Sequence, residues 1–363
     1  MKTVCELNKC NGCMACIEKC PKQCISIIDS IEYFNAEIDN TKCIGCNICK
    51  RICPNNNDIY KLSPILCKQG WAKDDIRSIG SSGGTASSIV KYFIESGGYV
   101  AACIFKEGNF VFDITNDIHK AKKFSGSKYV KSNPRGIYSK IEEKLKKNKV
   151  LFIGLPCQVS ALKRYLSNTD NLYTIDLICH GTPSNKLLEK FLLEKGYSIT
   201  SIDDIKFRNK NDMGLRIDGK KITKKRVIDE YLCAFLESVN YTENCYSCEY
   251  ATLDRVSDIT LGDSWGTELK DEEKKGVSLI LVQTEKGKTL LSNANIELKN
   301  VDMDNAIAFN HQLSYPSIFS SKRNNFFKKL NQGCSFSSSV FRVLPGLIIK
   351  QKIKSILFFK SIN

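Results

Sequence analysis

The sequence predicts an α+β chain of two unequal units and a tail, and three observations carry that reading. A cysteine frame is written twice near the N-terminus, as "CNGCMACIEKCP" from Cys10 to Pro21 and "CIGCNICKRICP" from Cys43 to Pro54. Beyond residue 64, short β-rich apolar runs alternate with helical patterns. The last stretch is basic and amphipathic. The expected boundaries are 1–62 for the cysteine-rich unit and 63–330 for a larger mixed α/β unit, in parts 63–140 and 150–330. A tail follows over 331–363.

The frame C-x2-C-x2-C-x3-C-P fits iron better than zinc. A 4Fe-4S cube needs four thiolates, and three Cys spaced by threes on one loop hold three irons. Zinc frames are usually two C-x2-C pairs with a longer spacer. In two-cluster ferredoxins the fourth Cys of each frame crosses to the other cluster. Cys10, Cys13, Cys16 and Cys53 are therefore expected to hold one cluster, and Cys43, Cys46, Cys49 and Cys20 the second. Gly12 and Gly45 let the backbone pass close to a sulfide, and Pro21 and Pro54 turn the chain after the crossing ligand. Between and after the frames, "CISIID" (24–29), "YFNAEID" (33–39) and "IYKL" (59–62) read as strands of a ferredoxin-like βαββαβ-type unit. Cys5 and Cys24 fall outside the frame and read as small buried hydrophobes.

Composition narrows the class. Hydrophobic residues make up 42% of the 363, enough for an ordinary core. Neither a signal-like apolar run nor an 18-residue apolar span occurs, so the expectation is a cytoplasmic chain. Eighteen Cys there read as metal ligands before disulfides. The formal charge is +15, but three oxidised cubes would lower it to roughly +9. The lysines are scattered, with no aromatic–basic module, which argues against nucleic acid as a partner.

In the larger unit, strands are expected at 98–105, 110–115, 150–155, 172–179 and 277–284, and helices near 84–96, 134–148, 158–167, 184–195 and 228–239. Three stretches look chemical. "GSSGGTASSIV" (80–90) opens a helix with small residues, either a phosphate-binding helix start or a plain Ser/Gly cap. Cys157 and Cys179 follow two expected strands, and Cys245 and Cys248 form a C-x2-C pair. These four suffice for a third cluster, while free buried thiols or a zinc site with His180 are the alternatives. "DRVSDITLGDSWG" (254–266) brackets an apolar strand with Asp258 and Asp263, the former a turn cap or a hold on a cofactor's polar edge. His180 reads either as a donor to a sulfide or as a turn histidine. Arg208 and Lys210 in "FRNK" read either as holds for an acidic substrate or as a solvated strand edge.

"GSKYVKS" (126–132), "VLFIGLPCQVSALKRYL" (150–166), "ICHGTPS" (178–184), "IKFRNK" (205–210), "CYSCEY" with "RVSDITLGDSWG" (245–266) and "KGVSLILVQTEKG" (275–287) together resemble the coenzyme F420 hydrogenase/dehydrogenase beta-subunit family. The N-terminal frames resemble its ferredoxin-fused versions. The resemblance implies a flavin-binding α/β domain with FAD and a third 4Fe-4S cluster on Cys157, Cys179, Cys245 and Cys248. It implies a flavin site at Ser82, Gly83, Gly84 and Thr85, at Ser127, Lys128 and Tyr129, and at Asp263 and Trp265, with Lys128 as the cation for the pyrophosphate or the flavin edge. The implied function is an iron-sulfur flavoprotein oxidoreductase. Its partners would be a redox carrier (deazaflavin, NAD(P)H or ferredoxin) and an external electron-transfer protein. The alternative is an electron-transfer adaptor without its own substrate, beside a surface-polysaccharide enzyme for instance. Leu155, Ser257 and the stretches 82–85 and 241–244 depart from the family pattern without removing a ligand. In the tail, Ile349, Ile353, Ile356 and Phe359 share a helical face, suited to docking on the chain's own domain or peripherally on a membrane.

Overall fold

In the computed structural model, which describes residues 2–357, the cysteine-rich unit is built on one hairpin. β1 (Ile25–Asp29) runs antiparallel to β2 (Phe34–Ile38), with Ile25 opposite Ile38. The chain start joins this edge, Val4 N donating to Ala36 O at 2.9 Å. Short helices at Ala15–Glu18 and Ile48–Ile52 begin inside the frames, each after a left-handed residue, Met14 (φ 62°) and Asn47 (φ 56°). The expected βαββαβ pattern is not met, and "IYKL" is not a strand. Leu62 instead bridges Arg255 of the larger unit, with N–H···O bonds of 2.7 and 2.9 Å. Its pairing partner lies in the other body, so the run forms a seam and not a sheet edge.

The larger unit centres on an eight-stranded mixed sheet. Its strands are β3 (Leu66–Ala72), β4 (Tyr99–Lys106), β5 (Asn109–Thr115), β6 (Val150–Gly154), β7 (Leu172–Leu177), β11 (Ile259–Asp263), β12 (Ser278–Val282) and β13 (Ile296–Lys299). A small second sheet holds the strands between, β8 (Ile205–Asn209), β9 (Asp212–Ile217) and β10 (Lys220–Lys221). The large sheet is ordered β13-β3-β12-β11-β7-β6-β4-β5. Its centre, β4-β6-β7-β11, is parallel, and the flanks are antiparallel. Buried on both faces, β6 and β12 read as continuous apolar runs. The expected helices form at Thr85–Glu95, Ile137–Leu145, Pro156–Tyr165, Asn185–Glu194 and Glu230–Leu236.

The C-terminal helices belong to the body. Phe336, Val340, Leu344 and Ile348 are buried in the cluster that also holds Leu188, Phe191, Phe207 and Tyr231. Ile349, Ile353 and Ile356 remain exposed, and Phe359 lies outside the described residues. Among the described residues no helix is long and apolar enough to cross a membrane.

Polar ties fix the small unit against the large one. Glu18 accepts from Gly136 N at 2.6 Å and Ser139 N at 3.1 Å, capping the Ile137–Leu145 helix from across the seam. Lys19 pairs with Glu142 at 3.1 Å. Ser184 donates to Asp29 at 2.7 Å, and Arg323 donates to Glu32 O at 2.8 Å.

Candidate functional site

The two frames fold alike, and their thiols sort by cavity and not by frame. Cys10, Cys13 and Cys16 line one cavity with Cys53 of the second frame. Cys43, Cys46 and Cys49 line another with Cys20 of the first frame. Each loop turns its backbone toward sulfur, Gly12 N donating to Cys10 Sγ at 3.4 Å and Gly45 N to Cys43 Sγ at 3.5 Å. Both glycines take left-handed φ, 67° and 71°, which only glycine adopts at little cost. Each cavity also holds a fifth thiol: Cys5 lines the first, and Cys24 the second, 3.5 Å from Cys20. Both are buried, as expected, but they stand inside the thiol groups. Among the described residues no three His, Cys, Asp or Glu side chains gather as ligands of a single ion; the frame thiols ring two cavities.

The other four thiols meet beside the first cavity. Cys157 opens the helix after β6, Cys179 lies two residues past β7, and Cys245 and Cys248 sit at the turn Glu243–Ser247. Burial first, then the charges of Cys245, Cys157 and Cys248, push the Cys179 thiol well up. Burial likewise raises Cys157, which feels Cys248 and, across the seam, Cys13. Positive charge brought among these buried sulfurs would favour the thiolate forms of Cys157 and Cys179. Cys13, Cys157 and Cys248 pack into one apolar cluster with Tyr138 and Tyr250. Thr182 N donates to Cys245 Sγ at 3.4 Å.

On the other side of Cys179 lies a cavity of about 720 Å³, within the range of organic ligand sites. It opens at the carboxyl ends of the parallel strands, where α/β sheets bind ligands. Ile153 lies near the end of β6 and Leu155 follows it, Leu177 ends β7 and Ile178 to Thr182 follow it, and Gly262 and Asp263 end β11 with Trp265 just beyond. Of the residues implied for the flavin, Ser82, Gly84, Ser127, Lys128, Tyr129, Asp263 and Trp265 line it. Gly83 and Thr85 stand behind the wall. A Cβ on Gly83 would meet Gly70 O at 2.5 Å, so this glycine lets the loop lie on β3. Thr85 is buried, its hydroxyl without a partner.

The charged groups here have specific occupations. Lys128 Nζ donates to Phe124 O, Ser125 O and Gly126 O at 2.9 to 3.1 Å, so its ammonium shapes its own loop. Arg208 donates from one nitrogen to both Asp263 oxygens at 3.0 and 2.8 Å and lies over the Trp265 ring. Its Nε is buried and has no partner among the described residues. Lys210 donates to Ser82 O at 2.9 Å and also to Arg77 O, pinning the 77–82 turn. His180 lines the cavity, and burial, then His311 and Arg208, lower its pKa to about 4. It is thus neutral, accepting at Nδ1 from Gln312 at 2.7 Å. Asp258 lies away from the cavity, bonded to Thr174 and Thr284. Ser81, within the 80–90 stretch, also builds the site, as do Asn310 and the Arg77 anchor on Gly276 O; the last two, as single polar residues without a motif, carried no signal.

Comparison with known proteins agrees with this layout. Residues 147–305 match the family model for the C terminus of the coenzyme F420 hydrogenase/dehydrogenase beta subunit, and residues 9–57 match a 4Fe-4S dicluster domain. An uncharacterized protein of Methanocaldococcus jannaschii is 24% identical over 80% of this chain and 87% of its own length. The beta subunit of F420-dependent formate dehydrogenase 1 from Methanococcus maripaludis is 28% identical over 59% of this chain; the match spans about half of that relative, 55%. One component of the ion-translocating oxidoreductase complex of Methanosarcina acetivorans is 43% identical over 54 residues, 15% of this chain and 19% of the relative. A chain of the F420-reducing nickel-iron hydrogenase complex of Methanosarcina barkeri superposes with a TM-score of 0.52 at 19% identity, covering 71% of this chain and 91% of that one. That likeness is one of fold. The chain thus carries a domain of the family described as the C terminus of the coenzyme F420 hydrogenase/dehydrogenase beta subunit, over residues 147–305, and a 4Fe-4S dicluster domain over residues 9–57.

Proposed function

We propose that this chain is an iron-sulfur flavoprotein oxidoreductase that moves electrons between a two-electron carrier and an external one-electron protein. The observation that carries the reading is the continuity of the thiol sets. Cys179 lies in the wall of the large cavity, its set includes Cys157, and Cys157 shares an apolar cluster with Cys13. Three 4Fe-4S clusters are assigned in that order, to the Cys157/Cys179/Cys245/Cys248 set, the Cys10/Cys13/Cys16/Cys53 set and the Cys43/Cys46/Cys49/Cys20 set.

FAD is assigned to the large cavity. When bound, a flavin supplies the ability to hold two, one or no electrons, which joins a hydride carrier to single-electron centres. The chain's own residues suit such a guest. Gly84, Ala86 and Ser87 at the start of the Thr85–Glu95 helix line the cavity, where backbone N–H groups favour phosphate oxygens. Arg208 Nε offers an unspent donor. Trp265 and Tyr129 add aromatic wall, and Tyr129 is held by stacking on Phe235 at 4.5 Å. The carrier is a deazaflavin, a nicotinamide or a ferredoxin, and the relatives' names favour the first.

Anaerobic purification tests the reading. The expected product is brown, with about twelve irons per chain and releasable FAD. Flavin bleaching by one of reduced deazaflavin, NADH, NADPH or reduced ferredoxin identifies the carrier. A colourless protein holding zinc ends the proposal, and FAD that no carrier reduces turns it toward an adaptor role.

A further inference from the structure

Two tyrosine hydroxyls stand unpartnered where the Cys13 and Cys157 thiol sets meet. Tyr138 is 0% exposed and Tyr250 5% exposed, and among the described residues neither hydroxyl has a hydrogen-bond partner of good geometry. Ser160 stands close to the Tyr250 hydroxyl, so Tyr138 is the clearer of the two. A buried hydroxyl without a partner is destabilising, and a phenylalanine would avoid that cost. The surroundings indicate what the hydroxyls face. The groups whose charge reaches Tyr138 are Cys13, Cys157, Glu18 and Cys16, and those reaching Tyr250 are Cys157, Cys13 and Cys248. The two rings share the apolar cluster that contains Cys13, Cys157 and Cys248.

The position of Tyr138 is enforced. It is the second residue of the Ile137–Leu145 helix. Glu18 of the first frame holds that helix start through Gly136 N and Ser139 N, and Lys19 holds it again through Glu142. The segment Cys13–Cys16 and the ring of Tyr138 are thus clamped by the same pair of acidic and basic side chains.

We propose that Tyr138, with Tyr250 beside it, donates an O–H···S hydrogen bond to a cluster sulfur, thiolate or sulfide, at the junction of the two inner thiol sets and so tunes the potential of the electron step between them. This rests on the iron-sulfur assignment made above. A donor to sulfur favours the more negative, reduced state of a cluster, so the bond raises the reduction potential of the centre that accepts it. Both tyrosines are positioning residues: they exchange no electron and lose no proton.

The test uses the full chain, purified anaerobically as wild type and Y138F, with iron analysis and a redox titration followed by electron paramagnetic resonance. Y138F is expected to keep all its iron. One inner centre becomes harder to reduce, its oxidised-to-reduced ratio at fixed poise rising about tenfold, or about 59 mV for one electron. Y250F is expected to act in the same direction. If Y138F loses iron, 3-fluorotyrosine at position 138 keeps the shape and strengthens the donor, and the potential then moves up. Full iron with unchanged potentials in Y138F and Y250F, or no shift with fluorotyrosine, overturns the inference and leaves the iron-sulfur assignment standing. Wild-type protein without iron removes both.

Discussion

The two frame-derived thiol cavities have the same local chemistry and opposite surroundings. Cys10, Cys13, Cys16 and Cys53 are 7–8% exposed, whereas Cys46 is exposed and Cys20, Cys43 and Cys49 are half-buried. The loops show the same contrast. A Cβ on Gly12 would meet Lys131 at 3.2 Å and Phe34 at 3.4 Å, while one on Gly45 would meet nothing within 4 Å. Asn11 is bound from the large unit by Lys131 at 3.3 Å and Asn244 at 3.2 Å; Ile44, at the matching place in the second frame, is 61% exposed. One motif written twice thus serves two ends, because docking and not sequence decides which copy is dry. Exposure and hydrogen bonding set cluster potentials, so on the proposed electron path the buried copy would serve the internal step and the open copy the exchange with another protein.

The largest effect expected from this contrast is the loss of a centre. C53S alters the second frame but should remove the inner centre, about four irons of about twelve, and with it the magnetic coupling to the Cys157 set. C20S alters the first frame and should remove the outer one. Resonance spectra that assign each loss to its own frame would show that the fourth ligands do not cross.

A smaller effect is expected at the exposed end. Ile44→Ser removes an apolar contact at the open cavity without touching a thiol. Single anchors at an interface are worth about 1–2 kcal/mol, so the second-order rate of electron exchange with a purified ferredoxin should fall about tenfold. Flavin reduction by the carrier should not change. An unaltered exchange rate would place the external partner elsewhere.

Local spacing made the grouping of the thiols legible in the sequence: Cys53 lines the cavity of the first frame and Cys20 that of the second. The parallel strands were legible because burial on both faces writes them as apolar runs. β3 was missed because "LCKQGWA" carries Lys68, Gln69 and Gly70; Gln69 is 0% exposed and is satisfied by Ser264, Thr267, Glu268 and Asn300. Such a strand is stabilised by partners about 200 residues away, which no window of sequence contains. The β8–β10 sheet was missed as a sheet for a related reason, its apolar side, Phe207 and Leu215, being matched by distant helices. At the large cavity, family pattern placed the wall residues, but the engagement of Lys128 by its own loop and the orphaned Arg208 Nε are facts of geometry. Tyr138 and Tyr250 belong to no spacing and become visible only where two distant thiol sets meet.

The smallest effect sharpens the comparison most directly. Gly12→Ala and Gly45→Ala both force an L-residue into left-handed backbone, at about 1–2 kcal/mol each. Only at position 12 does the new methyl also crowd Lys131 and Phe34, a further cost on the order of 1 kcal/mol if the ring cannot give way. Anaerobic thermal melts should therefore rank wild type above G45A and G45A above G12A. The backbone penalty cancels between the two variants, so the difference between them reads the packing around position 12, by Lys131 of the large unit and Phe34 of the small unit's own hairpin. Equal melting points would mean that the small unit packs as loosely around the first frame as around the second, and the division into an internal and an external centre would lose its physical basis.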